Sequence, residues 1–220
     1  MLPTLLKPAN RAFVLYLVAF LAAWTAYVLW LYPYVQAMGE GTLASAAAGI
    51  AIRLLLWITP VFVMLARDDR VAPLRALGLV EGWKRGVLVG ALLFALLLVA
   101  SLLRFGWPQD VKSHITWGSM LGPSFSVGFF EEIPFRGYIL QKLSTRMNFW
   151  LCNALTSLIF VGFHLPGWLT LHLFTIPLVA IVFTISFILG AVFRYSRSLW
   201  SCIIAHDAND FISFVLFHGR

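Results

Sequence analysis

The amino-acid sequence predicts an all-α fold, a polytopic membrane helical bundle with about seven transmembrane helices. Three observations predict this fold class: 61% of the 220 residues are hydrophobic, only 11% are charged, and the mean hydropathy is +0.89. So few charged residues cannot cover a water-facing surface, and several apolar stretches are each about as long as a bilayer is thick. We therefore expect a single integral membrane domain over residues 1–220, embedded in a lipid bilayer.

The first apolar stretch follows Lys7 and Arg11, a pattern that signal peptides also show. Because this stretch is about twenty residues long and further apolar stretches follow it, a first transmembrane helix is the better interpretation. The predicted spans are residues 12–32, 45–66, 86–103, 121–139, 149–164, 174–193 and 199–217.

Basic residues predict the orientation of these spans. The chain carries 16 Lys and Arg against 9 Asp and Glu, a formal net charge of +7. In a soluble protein this balance would suggest a nucleic-acid partner, but here most basic residues lie between apolar stretches, where they report topology. With the N-terminus in the cytoplasm, eleven basic residues fall inside, three fall outside and two lie within spans. We therefore predict a multi-pass protein with a cytoplasmic N-terminus and no nucleic-acid partner.

Ionisable side chains inside the predicted spans indicate where a functional site lies, since each costs about 3 kcal/mol unless it faces a polar interior. Arg53 in the second span is a weaker candidate, because a long side chain can snorkel or pair internally. The stronger candidates are Glu131, Glu132 and Arg136 in the fourth span, His164 at the end of the fifth, and His206, Asp207, Asn209 and Asp210 in the seventh.

The fourth segment carries two adjacent carboxylates. Glu132 and Arg136 are four residues apart, so they share a helix face and are expected to form an ion pair. Glu131 points about 100° away and is free to meet groups from other helices, as a general base must. Pro134 cannot donate to the carbonyl of Phe130, which predicts a kink beside the carboxylates. A packing salt bridge with a spare buried acid is the structural alternative, and the pattern favours a functional site.

The fifth segment places His164 one helical turn after Phe160 and just before Pro166 and Gly167. The Pro-Gly pair predicts that the helix ends beyond His164, with the imidazole beside a turn. A histidine in that position serves an interfacial role as readily as a catalytic one, so both interpretations stay open.

The seventh segment places His206 on the same helix face as Asn209 and Asp210, either of which could orient the imidazole. Asp207 is predicted to point elsewhere. Four polar residues within five positions of a span favour a functional site, with an interhelical hydrogen-bond cluster as the structural alternative.

Together these residue types suit the activation of water for attack on an amide. One Glu takes the proton, one imidazole assists, and the other His with a neighbouring donor stabilises the oxyanion. The same residue types also bind zinc, so a zinc-dependent membrane hydrolase is the alternative enzyme class. The sequence has no HExxH helix, no GxSxG motif and no CxxC pair, since Cys152 and Cys202 lie singly in apolar segments. We expect no metal and no other cofactor.

Three motifs in chain order carry a resemblance to a known family. They are EExxxR at residues 131–136, FxxxH at residues 160–164, and His206 followed four positions later by a polar residue. This arrangement resembles the CPBP family, which comprises CAAX proteases of the Ras-converting type and bacteriocin-processing enzymes and is also called the Abi family. The resemblance covers roughly residues 121–211, which we expect to form the catalytic core.

The resemblance implies a glutamic-type intramembrane endopeptidase. In it Glu131 would activate water with the help of His164, and His206 with the residue at position 210 would stabilise the oxyanion. Glu132 and Arg136 would form the supporting pair.

The chain departs from the family at one position. Many members have Asn four residues after the last His, whereas here that position is Asp210 and Asn209 precedes it. An aspartate donates to an oxyanion only when it is protonated, so Asn209 is the alternative donor.

The resemblance also implies a protein or peptide substrate with a lipidated or membrane-anchored segment. A short chain without extra domains favours the inner (plasma) membrane of a bacterium. The non-enzymatic alternative is a membrane transport, immunity or scaffold protein whose buried polar residues bind an ion or a partner.

The predicted spans place the site residues at different depths. Glu131 is expected near the midplane, His206 about 10 Å from the cytoplasmic side, and His164 closer to the outer side. A shared site therefore requires tilted or broken helices.

Overall fold

The computed structural model of the chain describes residues 6–39, 41–108, 115–116, 120–121 and 125–217. Within these residues the fold consists of helices and their connections and contains no strand. In chain order the helices are α1 (Arg11–Ala37), α2 (Leu43–Asp69), the short α3 (Pro73–Ala76), α4 (Trp83–Phe105), α5 (residues 127–144), α6 (Phe149–Thr170), α7 (Ile176–Ser196) and α8 (residues 199–216).

Five of these helices, α1, α2, α4, α6 and α7, are long and apolar enough to cross a membrane. The predicted helical membrane bundle is confirmed, and the chain is an integral membrane protein. Helices α5 and α8 occupy the predicted fourth and seventh spans but are not among the five, and they carry the ionisable residues of those segments. The predicted start of the fourth span lies partly outside the described residues, and α5 runs to residue 144 instead of ending at 139.

Helix α5 forms the centre of the bundle. Every residue of its segment Ile133–Leu140 is buried. Phe135 meets Phe20 of α1 and both Phe160 and Phe163 of α6 edge-on, with ring centroids 4.8 to 5.8 Å apart. Because apolar rings surround this segment, the polar side chains of α5 must find their partners within the protein.

The backbone of α5 widens beside its two glutamates. It is α-helical up to Glu132 and π-helical over Ile133–Leu140. Pro134 has no N–H to donate to the carbonyl of Phe130, and its ring crowds that carbonyl. The irregularity predicted at this proline is therefore present, in the form of wider helical turns.

The predicted end of the fifth helix just beyond His164 is wrong, because α6 continues through Pro166 to Thr170. The missing N–H of Pro166 leaves the carbonyl of Gly162, four residues earlier, without its usual donor. In α6 the indole N–H of Trp24 donates to the carbonyl of Phe163 at 2.8 Å. His164 thus lies inside a helix and projects from its side.

Helices α4 and α8 approach each other closely through glycine. A Cβ atom added at Gly86 would lie 2.6 Å from Ser198 Cβ, and one added at Gly90 would lie 2.7 Å from Ile204 Cβ. Two small residues four positions apart are typical of close contacts between membrane helices. This contact holds α8, and with it the polar residues of the seventh segment, against the rest of the bundle.

We predict that Gly90→Ala lowers the free energy of unfolding by about 1–3 kcal/mol, because the added methyl group has no space against Ile204. The measurement is unfolding in mixed detergent micelles, followed by tryptophan fluorescence. Gly49→Ala is the matched control, since nothing lies within 4 Å of a Cβ added there. Equal stability of the two variants would contradict the close contact of α4 with α8.

Candidate active site

Three helices bring five of the predicted site residues together in a polar cluster. Helix α5 supplies Glu131 and Glu132, α6 supplies His164, and α8 supplies His206 and Asp210. Each of these residues lies within 4.0 Å of at least one other member of the group. The different depths that the span limits predict are thus wrong for these side chains, since the irregular helices bring them to one place.

Glu132 is the most enclosed member of the cluster, with 0% of its surface exposed. Its Oε1 accepts a hydrogen bond from Arg136 Nη1 at 2.9 Å, which is the ion pair that the four-residue spacing predicts. The same oxygen accepts from His206 Nδ1 at 2.7 Å. Two donors on one buried carboxylate oxygen stabilise its charge and connect α5 to α8.

Arg136 reaches further, to α7. Its Nη2 donates to the carbonyl of Ser186 at 2.9 Å and to the Ser186 hydroxyl at 2.8 Å. That hydroxyl donates to Ser157 Oγ of α6 at 3.1 Å, and the guanidinium lies 4.8 Å from the centroid of the Phe160 ring. Sequence analysis missed both serines, because a single serine within an apolar segment carries no signal that separates it from an ordinary packing residue.

Glu131 is bound quite differently from its neighbour. Oε2 of each glutamate is buried without a hydrogen-bond partner among the described residues. Oε2 of Glu131 lies 4.0 Å from His164 Nε2 and 3.8 Å from His206 Nε2. Both distances exceed a direct hydrogen bond, and at such separations a small polar group is able to bridge the two sides.

The hydrogen bonds of the two imidazoles fix which nitrogen of each ring faces Glu131. His164 Nδ1 lies 2.8 Å from the carbonyl of Phe160. A carbonyl only accepts, so Nδ1 carries the hydrogen and Nε2 is the atom turned to Glu131. His206 likewise uses Nδ1 toward Glu132 and directs Nε2 toward Glu131.

The two polar residues after His206 differ in their contacts. Asp210 Oδ2 lies 3.9 Å from His206 Nε2. Asn209 Nδ2 donates to Asp210 Oδ1 at 3.0 Å. The carboxylate of Asp210 therefore faces the imidazole, and Asn209 contacts that carboxylate.

Asp207 makes a contact that the helix pattern did not predict. Its Oδ1 accepts from the backbone N–H of Gly128 in α5 at 2.7 Å. Only the folded arrangement of α5 and α8 brings these residues together, because they are 79 positions apart in the chain.

Lys142 belongs to a second buried cluster, at the other end of α5. The predicted fourth span ends at residue 139, which would leave Lys142 in the connection that follows; instead α5 extends past it and its side chain is 0% exposed. Its Nζ pairs with Asp69 Oδ1 at 2.5 Å and with Asp68 Oδ2 at 3.4 Å. The backbone N–H of Lys7 also donates to Asp69 Oδ1, at 2.9 Å. This cluster joins the N-terminal segment to α2 and α5.

The remaining candidates lie outside the polar cluster. The guanidinium of Arg53 lies 5.7 Å from the centroid of the Trp57 ring. Cys202 is buried and donates to the carbonyl of Leu189. In the part of the chain that the structure describes, no group of three or more His, Cys, Asp or Glu side chains is arranged to hold a metal ion.

Residues 112–212 match the protein family described as Type II CAAX prenyl endopeptidase Rce1-like. The matched region contains every residue of the polar cluster, from Glu131 to Asp210, and the match confirms the resemblance that the three motifs carry. Neither a curated protein nor a solved structure matches the chain.

We predict that Arg136→Met lowers the free energy of unfolding by about 3–5 kcal/mol, because it removes the guanidinium that balances the buried carboxylate of Glu132. The control is Arg75→Met. Arg75 pairs with Glu81 at 2.8 Å, but both side chains are at least 60% exposed, and such pairs contribute only about 0–1 kcal/mol. Chemical unfolding in detergent micelles measures the free energy of unfolding of both variants. Equal decreases in the two variants would contradict the central role of the ion pair between Glu132 and Arg136.

Proposed function

We propose that this CAAX-protease-like chain is an intramembrane endopeptidase in which Glu131 activates water to hydrolyse a peptide bond. The observation that carries the proposal is the difference between the adjacent carboxylates. Oε1 of Glu132 accepts from Arg136 and His206, whereas Oε2 of Glu131, which has no hydrogen-bond partner among the described residues, lies 3.8 to 4.0 Å from two imidazole nitrogens. A carboxylate without a fixed partner is available to take a proton from water.

In the first step, water binds between Glu131 Oε2 and His164 Nε2. Glu131 takes one proton as the water oxygen forms a bond to the carbonyl carbon of the substrate. Because His164 donates through Nδ1 to a backbone carbonyl, its Nε2 is free to accept a hydrogen bond from the same water. This second acceptor holds the water with one lone pair directed away from the protein acceptors and toward the substrate.

The negative charge that develops on the carbonyl oxygen is stabilised by His206 Nε2–H. This role requires the doubly protonated imidazole, since Nδ1 already donates to Glu132. Both Glu132 and Asp210 favour that cation by their negative charge. In the second step the C–N bond breaks, and the proton held by Glu131 passes to the leaving amine.

Asp210 supports His206 through its charge, and Asn209 holds Asp210 in place by a hydrogen bond. An aspartate at position 210 therefore does not need to donate to the oxyanion itself, as the asparagine of many family members would. In this scheme Asp210 contributes its charge and Asn209 contributes the hydrogen bond that orients Asp210.

The substrate that suits such a site is a protein or peptide with a lipidated or membrane-anchored segment next to the cleaved bond. Such an anchor would place the bond at the depth of the polar cluster. We further propose that residues 121–211 form the catalytic core, and that the chain lies in a bacterial plasma membrane with its N-terminus in the cytoplasm, where most loop Lys and Arg residues then also lie.

We predict that Glu131→Gln abolishes turnover, because the amide keeps the size of the side chain but accepts no proton from water. The measurement is cleavage of tailed or membrane-anchored candidate substrates in cells, with the mass of each product determined. Glu81→Gln, on an exposed carboxylate remote from the polar cluster, is the matched control and should cleave as wild type does.

Equal cleavage by Glu131→Gln and wild type would remove Glu131 as the base. A parallel assay with a metal chelator tests the zinc alternative, because loss of activity that added zinc restores would show that a metal takes part.

We predict that Asp210→Asn lowers kcat by about tenfold, the effect of roughly 1.4 kcal/mol, because it removes one of the charges that favour the His206 cation. Asn209→Ala should cost less, since it removes only a hydrogen bond to Asp210. Steady-state kinetics of the purified protein measure both. The opposite result, full activity in Asp210→Asn and loss in Asn209→Ala, would make the amide of Asn209 the oxyanion donor.

A further inference from the structure

The first turn of α5 is capped from another helix. The first N–H groups of any α-helix have no partner within the helix, and usually a side chain at the residue before the helix accepts from one of them. In α5 the N–H of Gly128, the second residue of the helix, donates to Asp207 Oδ1 of α8 at 2.7 Å. The first turn of α5 contains no acidic residue of its own, so the acceptor for this N–H comes from α8.

The contact leaves no space for a side chain at position 128 of α5. A Cβ atom added at Gly128 would lie 2.7 Å from the carbonyl oxygen of Ile203 and 2.8 Å from Asp207 Oδ1. Glycine at this position therefore lets the backbones of α5 and α8 approach each other. Gly128 and Asp207 together form one joint between the two helices.

The joint lies beside the reacting groups on both helices. Gly128 precedes Glu131 by three residues, about one helical turn, and Asp207 directly follows His206. The Glu132 to His206 hydrogen bond of 2.7 Å is a second connection between the same helices. The two connections lie about one helical turn apart along α5, so together they restrict sliding and rotation of one helix against the other, whereas a single connection would act as a pivot.

We propose that Asp207 is a positioning residue, which caps α5 through Gly128 and thereby holds Glu131 at its working distance from His206. This inference rests on the proposed function and adds to it a residue that acts through its contact with Gly128. What Asp207 supplies is a hydrogen-bond acceptor at a fixed place. An asparagine, whose side-chain oxygen also accepts, should therefore replace it, and a leucine of similar size should not.

Asp207→Leu is expected to lower kcat by about 10- to 100-fold, the range that a displacement of about 1 Å produces, and to leave KM within about twofold. Asp207→Asn is the conservative control and should keep kcat within about threefold of wild type. Gly128→Ala attacks the same joint from α5 and should reproduce the loss of kcat. It serves as the second test if the leucine variant fails to fold.

Hydrogen exchange provides a readout that does not depend on catalysis. Amides of residues 127–132 should exchange faster in Asp207→Leu than in wild type, and at the wild-type rate in Asp207→Asn. A kcat of folded Asp207→Leu equal to wild type would overturn the positioning role, and so would an asparagine variant as slow as the leucine variant. Equal processing by wild type and Glu131→Gln would overturn the proposed function instead, while exchange at residues 127–132, measured without substrate, would still support or overturn the joint.

Discussion

The carboxylate of Glu132 is the group on which the arrangement of this protein depends. It is fully buried, so its charge must be balanced inside the bundle, and one oxygen accepts from both Arg136 and His206. Arg136 continues the connection to Ser186 of α7. One buried charge thus orders three helices, and it occupies the donors that Glu131 would otherwise compete for.

The apolar surroundings of Glu132 and Arg136 strengthen the interaction between them. The buried segment Ile133–Leu140 and the aromatic rings of α1 and α6 form an apolar wall behind the polar cluster. Charges in such a low-dielectric environment interact more strongly than they would in water. Phe160 combines both roles, since its ring packs against Phe135 and lies beneath the Arg136 guanidinium, while its carbonyl orients His164.

The sequence predicts those features that arise from overall composition or from residues close together on one helix. Composition predicts the membrane bundle, and the four-residue spacing predicts the Glu132 to Arg136 ion pair, because partners on one helix face need no tertiary contact. Burial of Lys142 and capping of Gly128 could not be predicted, since their partners lie 73 and 79 positions away in the chain. The depths expected for the site residues were wrong for a related reason: they assume regular helices that end at prolines, whereas π-helical turns and a helix that continues past Pro166 bring the side chains to one level.

The order in which the chain is synthesised gives the Glu132 to Arg136 pair a further importance. Helix α5 leaves the ribosome before α8, so the two glutamates enter the membrane when His206, 74 positions later than Glu132, does not yet exist. During that interval the cation four residues away, on the same helix, is the partner already present for Glu132. The pair therefore lets a helix with two carboxylates be held in the bilayer before α8 is made, and the polar cluster closes only when α8 arrives.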